Sequence, residues 1–168
     1  MNDITIRWMI RLDVPDVMRI ELVSFPVPWT EGELIDCLSQ CRHIGMVAEQ
    51  GDTILGFMVY ELQEESLSLL NFAVDPRYRR RRIGKRMVEK LIRKLDQQRR
   101  QQIILAVRET NLPAQLFFRS CGFKAAGVFR HYYDDTDEDA YAMRYVLPSD
   151  CDCDCDCGPV TINARLVP

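Results

Sequence analysis

The chain has 168 residues, 47% hydrophobic and 28% charged, a balance that fits one ordinary globular domain and excludes a disordered or fibrous polypeptide. No run approaches the roughly 20 apolar residues of a membrane span, and the N-terminal MNDITIRW lacks the layout of a secretory signal. A cytoplasmic address with no membrane partner is therefore expected, and the net charge of −3 argues against a nucleic-acid-binding protein.

Ile4, Ile6 and Trp8 alternate with polar residues as in a strand, and Asp13-Val14-Pro15 then opens a helix reaching about Ser24. After the break Phe25-Pro26-Val27-Pro28-Trp29, Thr30-Glu31-Gly32-Glu33 is a capping box, followed at helical spacing by Leu34, Leu38 and Cys41. Ile44 to Glu49 and Ile54 to Leu62 read as a hairpin, and Leu67 to Val74 continues the sheet up to Pro76. Ile83, Met87, Val88, Leu91, Ile92 and Leu95 recur at three-and-four spacing between charged residues, predicting an amphipathic helix. Ile103 to Val107 is a buried strand. Asn111-Leu112-Pro113 begins a helix that stops near Cys121-Gly122, where glycine suits the left-handed residue past a helix end. Strands at about Lys124 to Phe129 and Ala140 to Val146 flank an acidic loop. The predicted order is β-α-α-β-β-β-α-β-α-β-β, a single α/β domain over residues 1–147 with no internal repeat.

Cys37, Cys41 and Cys121 are scattered singly, which predicts reduced, buried thiols rather than a disulfide framework. Cys151, Cys153, Cys155 and Cys157 alternate with Asp in a low-complexity tail, residues 148–168. Dense thiolates can hold a soft metal, but zinc sites favour C-x₂₋₄-C spacing, so no metal is expected and the tail reads as a disordered appendage.

The most informative segment is Leu70 to Lys85. A buried strand enters a basic turn, in which seven of the ten residues from Arg77 to Arg86 are Arg or Lys, and then a long helix. The first turn of a helix carries unpaired N–H groups and the positive end of its dipole, which makes it an anion site. Gly84 lets the backbone approach a ligand, and the surrounding cations suit a pyrophosphate by charge and fork geometry. A solvated basic face, or a nucleic-acid patch whose affinity falls steeply with salt, is the other reading of the arginines.

Arg79-Arg80-Arg81-Arg82-Ile83-Gly84 resembles the acetyl-CoA-binding signature Q/R-x-x-G-x-G/A of the GNAT acyltransferases, with Arg82 where the middle glycine is usual. Leu105 to Asn111 and Leu116 to Phe123 are similar to the second cofactor-binding segment of that family. Ser24-Phe25-Pro26-Val27-Pro28-Trp29-Thr30 resembles the F-P-W-S turn of RimI-type N-terminal acetyltransferases, and His131-Tyr132-Tyr133 with Asp137 to Met143 resembles their ending.

The resemblance implies a GNAT fold, a mixed, mostly antiparallel sheet flanked by helices. It also implies transfer of an acetyl group from acetyl-CoA to a protein N-terminus, for RimI itself a small-subunit ribosomal protein. Acetyl-CoA would lie between the strands Leu67–Val74 and Ile103–Val107. The backbone of Phe72, Ala73 and Val74 would meet the pantetheine, and Arg79, Arg80, Arg81, Arg82, Ile83, Gly84 and Lys85 the pyrophosphate. Asn111 would touch the cofactor, or cap its helix. Phe25, Pro28, Trp29, Tyr132 and Tyr133 would clamp the peptide, the tyrosines otherwise being a partly buried pair at a strand end.

The general base and acid of RimI-type enzymes fall on Ala106 and Phe118, neither of which moves a proton. Three explanations follow: water and the substrate's own ionisation suffice, another residue substitutes, or the chain binds acetyl-CoA with little transfer. Acetylation of a small amine is the alternative activity, and a binding-only regulator the alternative from another class.

Overall fold

Local chemistry sets most element boundaries. The computed structural model describes residues 3–97, 99–133 and 135–148. β1 (Thr5–Trp8) leads through a short 3₁₀ turn into α1 (Val14–Ser24), with Pro15 in its first turn, where no intrahelical N–H is needed. α2 (Glu31–Ser39) starts with the expected capping box: Glu33 N–H donates to Thr30 Oγ1 at 3.2 Å, and Thr30 N–H to the Glu33 carboxylate at 2.7 Å. This helix stops short of Cys41. That thiol is exposed, and Cys37 and Cys121 are half-covered, so the expectation of three buried cysteines does not hold. The spacing of Leu34, Leu38 and Cys41 fits a helix, but the chain turns out at Gln40 to enter β2.

The remaining elements are β2 (His43–Gln50), β3 (Thr53–Leu62), β4 (Ser66–Val74), α3 (Ile83–Gln97), β5 (Gln102–Arg108), α4 (Leu112–Ser120), β6 (Lys124–Tyr133) and β7 (Glu138–Val146). The predicted order of elements is present. One seven-stranded sheet runs β1-β2-β3-β4-β5-β7-β6, and its pairs are antiparallel except β4 with β5. A parallel pair cannot be joined by a hairpin, so α3 is the crossover, and its buried face of Ile83, Met87, Val88, Leu91 and Leu95 covers one side of the sheet. Truncating one such leucine to alanine costs about 2–5 kcal/mol. On the opposite side Val17, Ile20, Trp29 and Leu34 from α1, α2 and their connection pack on Val47, Phe57, Val59 and Ala73. Both faces of the central strands are thus covered, while most of β6 stays exposed.

β6 is longer than expected. After an irregularity between Phe129 and Tyr133, with His131 at φ 51°, the strand resumes and takes in Tyr132 and Tyr133. The tyrosines therefore belong to a strand end rather than a loop, because Tyr133 finds a buried place beneath Arg108. Residues 149–168, with the four alternating cysteines, lie outside the described residues. No described helix is long and apolar enough to cross a membrane.

Candidate active site

β4 and β5 run side by side only where Ser66–Leu69 faces Gln102–Leu105. Beyond that, Asn71 to Val74 pairs with β3 while Ala106 to Arg108 pairs with β7, and Leu70 is left as the extra residue of a bulge against Val59 and Tyr60. A bulge bends its strand, and here the two strands part. The gap is a cleft of about 410 Å³, lined by Leu69, Phe72, Leu105, Ala106 and Phe118 among others. Its walls combine apolar side chains and strand backbone with polar groups such as Asn71, Arg108, Thr110 and Asn111, a combination that accepts a slender molecule carrying amides.

At the end of β4 the chain turns sharply toward α3. Buried Asp75 fixes the turn, accepting from Arg77 N–H at 3.0 Å and from the Arg77 and Arg19 guanidinium groups at 2.8 and 2.7 Å. The bonds from Arg77, then Arg19, hold its carboxyl well below the usual carboxylate range against the opposing effect of burial. Arg79 Nε donates to the Val74 carbonyl at 3.0 Å, and the Arg81 guanidinium lies 5.4 Å from the centre of the Tyr78 ring. Arg80 and Arg82 sit in the left-handed region, at φ 65° and 61°. Arg86 N–H makes its helical bond to the Arg82 carbonyl at 3.0 Å, so the N–H groups of Ile83, Gly84 and Lys85 precede that bond. Arg80, Arg82 and Lys85 are exposed cations beside them.

Gly84 matters for a reason the sequence did not reveal. A Cβ there would meet Phe117 Cζ at 3.0 Å, so glycine lets α3 sit close on the cluster in which the Phe72 ring is 5.7 and 5.6 Å from those of Phe117 and Phe118. Ala73 is buried toward α1, and the Val74 carbonyl is taken up by Arg79. Asn111 caps its helix, one of the two roles considered for it. Its Oδ1 accepts Ala114 N–H at 3.2 Å as the cap of α4, and the residue also lines the cleft.

Of the proposed peptide clamp, Phe25, Tyr132 and Tyr133 line the cleft, joined by Ser24, Pro26 and Val27. Pro28 is half-buried and the Trp29 ring is buried among α1 and α2 residues, so neither is brought to the cleft. Tyr132 and Tyr133 pack edge to face at 5.0 Å, with the Arg108 guanidinium 3.9 Å from the centre of the Tyr133 ring. Arg108 is held by Asp135 at 2.9 Å and by Glu138 at 2.6 Å. Hydrogen bonds from Thr110, Arg108 and Thr136 bring the Glu138 carboxyl down to about 2. Burial pushes the Tyr133 hydroxyl up to about 12 and raises that of Tyr132.

Ala106 and Phe118, the two positions on which the resemblance would put a base and an acid, both line the cleft and present a methyl and a phenyl group. No role was expected of Glu21, and none of the Asn71 side chain, although Asn71 lies within the informative segment from Leu70 to Lys85. Glu21 is 1% exposed and accepts Trp29 N–H at 2.9 Å and Asn71 Nδ2 at 3.1 Å. The available signal was an acid on the buried face of α1, four residues after Val17 and next to Ile20. Among the described residues no group of three or more His, Cys, Asp or Glu is placed to hold a metal ion.

A model of the Acetyltransferase (GNAT) family matches residues 14–123. The chain belongs to the GNAT acetyltransferase family. It is 30% identical over 141 residues to the ribosomal protein bS18-alanine N-acetyltransferase of Escherichia coli K12, covering 83% of this chain and 95% of that one. The crystal structure of the Escherichia coli enzyme superposes with a TM-score of 0.79 at 28% identity, over 89% and 97% of the two chains. Ard1 from Thermoplasma volcanium gives a TM-score of 0.79 at 26% identity, over 87% and 99%. Arabidopsis thaliana NAA60, solved in complex with acetyl-CoA, shares the fold at 15% identity and a TM-score of 0.76, over 86% and 100%. The GNAT chain is thus an acetyl-CoA-dependent N-acetyltransferase. Its residues fit that cosubstrate: a strand gap for the amide-bearing arm, and a cationic helix start for the phosphates.

Proposed function

We propose that the chain is a RimI-like N-terminal acetyltransferase, moving the acetyl group of acetyl-CoA to the free α-amine of a protein N-terminus, with a ribosomal protein as the acceptor class. The reading rests on the names of its relatives and on one observation of its own. The cleft between β4 and β5 continues to the α1–α2 turn and the end of β6, so the strand gap and Phe25, Tyr132 and Tyr133 share one space. A cytoplasmic location follows, since ribosomal proteins are made there.

When bound, acetyl-CoA supplies an activated acetyl thioester. Within a ternary complex the α-amine nitrogen attacks the thioester carbonyl, an N–C bond forms, the C–S bond breaks, and the amine proton passes to solvent as the sulfur leaves. The chain contributes by binding both partners and holding amine and carbonyl in line, an effect of proximity that needs no proton donor. In this reading the acetyl-CoA contacts are backbone groups of Phe72 to Val74, the N–H groups at Ile83 to Lys85, and Arg80, Arg82 and Lys85.

The missing base can be weighed. A peptide α-amine titrates near 7.7–8.0, so its neutral form costs only about 1 kcal/mol at pH 7, while a positioned base contributes about 10²–10⁴-fold. Transfer is then slow but real, and its rate follows the titration of the amine. The test is acetyl transfer from acetyl-CoA to a library of N-terminal peptides between pH 6 and 9. The rate is expected to rise with pH and level above about pH 8. In Ala106→Glu it is expected to gain more at pH 6.5 than at pH 8.5. Acetylation of polyamines but not of peptides would overturn the acceptor assignment. An acid limb that stays fixed when the amine pKa is changed would reveal a protein base.

A further inference from the structure

Three buried side-chain atoms make no hydrogen bond among the described residues: Ser24 Oγ, Asn71 Oδ1 and the Tyr132 hydroxyl oxygen. All three residues line the one cleft described above. Unpaired buried polar atoms are costly and uncommon, so three bordering one space mark where a polar group fits. Two are hydroxyls, which rotate to donate or accept. Asn71 is more informative because its polarity is fixed.

Asn71 Nδ2 donates to Glu21 Oε2 at 3.1 Å, and Glu21 Oε1 accepts Trp29 N–H at 2.9 Å. A carboxylate offers only acceptors, so the asparagine cannot turn its carbonyl toward Glu21. Oδ1 is left as a fixed acceptor, and its complement is an N–H donor. The carboxylate behind the amide adds negative charge, which favours an amine or ammonium group. Burial raises the Glu21 carboxyl above its ordinary value, and the two donated hydrogen bonds oppose that rise.

We infer that Asn71 Oδ1 accepts a hydrogen of the acceptor's α-amine, and that Glu21 is a positioning residue holding the Asn71 amide in that orientation. The inference rests on the reading of the chain as an N-terminal acetyltransferase. The asparagine does not remove a proton. By holding one N–H it limits rotation of the amine and leaves the lone pair free for the thioester carbonyl.

The test combines initial-rate kinetics on a short peptide with a free N-terminal alanine, calorimetry with acetyl-CoA, and thermal melts, all on the full chain. Asn71→Leu, of similar size, is expected to raise peptide KM about tenfold, the loss of one hydrogen bond of about 1.4 kcal/mol, with acetyl-CoA Kd within about twofold. Glu21→Gln keeps the shape but offers an amide nitrogen to one of its two donors or turns Asn71 around, so a similar rise in KM is expected. The double variant should be no worse than Asn71→Leu alone, because Glu21 acts through Asn71. A merely structural role would move acetyl-CoA Kd along with KM and make the two effects additive, and that result overturns the inference. Should Asn71→Leu fail to fold, Glu21→Gln decides by the same criterion. Peptide KM within about twofold of wild type in both variants, beside an active wild type, would sink this inference and leave the enzyme reading standing. A wild type that acetylates no peptide would sink both.

Discussion

Arg82 occupies the position where the resembled signature carries glycine, and its φ of 61° explains the usual choice. The left-handed region costs an L-residue about 1–2 kcal/mol, whereas glycine enters it freely and loses about 0.5–1 kcal/mol of unfolded-state freedom instead. Arg82 also places a cation at the positive end of α3, where removing it returns about 0.3–1 kcal/mol. Arg82→Gly should therefore stabilise the fold by about 1–2 kcal/mol, a rise in Tm of about 3–6 °C for a domain of this size. Arg82→Ala removes the charge but keeps the Cβ in the strained conformation, so it should recover only the dipole part. Both lose a cation beside the first N–H groups of α3, and acetyl-CoA Kd should rise up to about fivefold at low salt, as for an exposed ion pair. That rise should shrink as salt is added. Differential scanning fluorimetry of the three proteins, with calorimetry at two salt concentrations, separates the effects. A Tm equal in the glycine and alanine variants would refute the backbone argument, and an unchanged Kd would remove Arg82 from the phosphate site.

Three further outcomes are expected. Gly84→Val drives side-chain atoms into the Phe117 ring and should cost about 1–3 kcal/mol, lowering acetyl-CoA affinity as well. Adding Phe117→Ala should return part of the lost Tm, and no recovery would mean that the glycine serves ligand approach alone. Asp75 has a depressed carboxyl value, chiefly through Arg77, so its contribution is fully present above about pH 4 and is lost as pH falls through its folded value. Urea unfolding should show Asp75→Asn less stable by about 1–3 kcal/mol at pH 7, with the gap narrowing at pH 3, and a constant gap would contradict this. Arg108→Gln frees the Tyr133 ring and unpairs Asp135 and Glu138, so peptide KM should rise several-fold while calorimetry shows acetyl-CoA Kd unchanged.

The elements that were legible in the sequence are those with a local cause. The Thr30–Glu33 box, Pro15 and Asn111 each fix a helix start through a few neighbouring atoms, and the apolar stripe of α3 records which face is covered. The cationic turn was legible for the same reason, since helix N–H groups and arginines are consecutive in the chain. What was not legible depends on distant residues. Glu21 meets Asn71 across 50 positions, and Trp29 turns into the α1–α2 core instead of the cleft because its N–H is bound by that same carboxylate. The length of β6 was hidden likewise, because the place of Tyr133 under Arg108 is made by another strand.

The one parallel pair in the described sheet ties the proposed cofactor site to topology in a way the proposed acceptor site is not. Joining β4 to β5 in parallel requires a crossover, and a crossover that begins at the end of β4 sets a helix start, with its N–H groups, close to the mouth of the gap. A sequence that keeps this connection keeps a helix start beside a strand gap, the arrangement proposed above to bind the acetyl-CoA phosphates, even with Arg82 in place of glycine. The acceptor side has no such guarantee. It is assembled from the α1–α2 turn, the end of β6 and single side chains of β4 and β5, each replaceable without breaking the sheet. Ala106 pairs with Ala142 of β7, and Phe118 packs 5.4 Å from Phe123, so a methyl and a phenyl group at these two positions are compatible with the fold. A change in the proposed amine-binding groups therefore need not disturb the proposed acetyl-CoA groups. Among the polar groups that line the cleft, Ser24, Asn71 and Tyr132 each keep a buried atom without a hydrogen bond among the described residues, and Asn71 is the one proposed above to orient the amine.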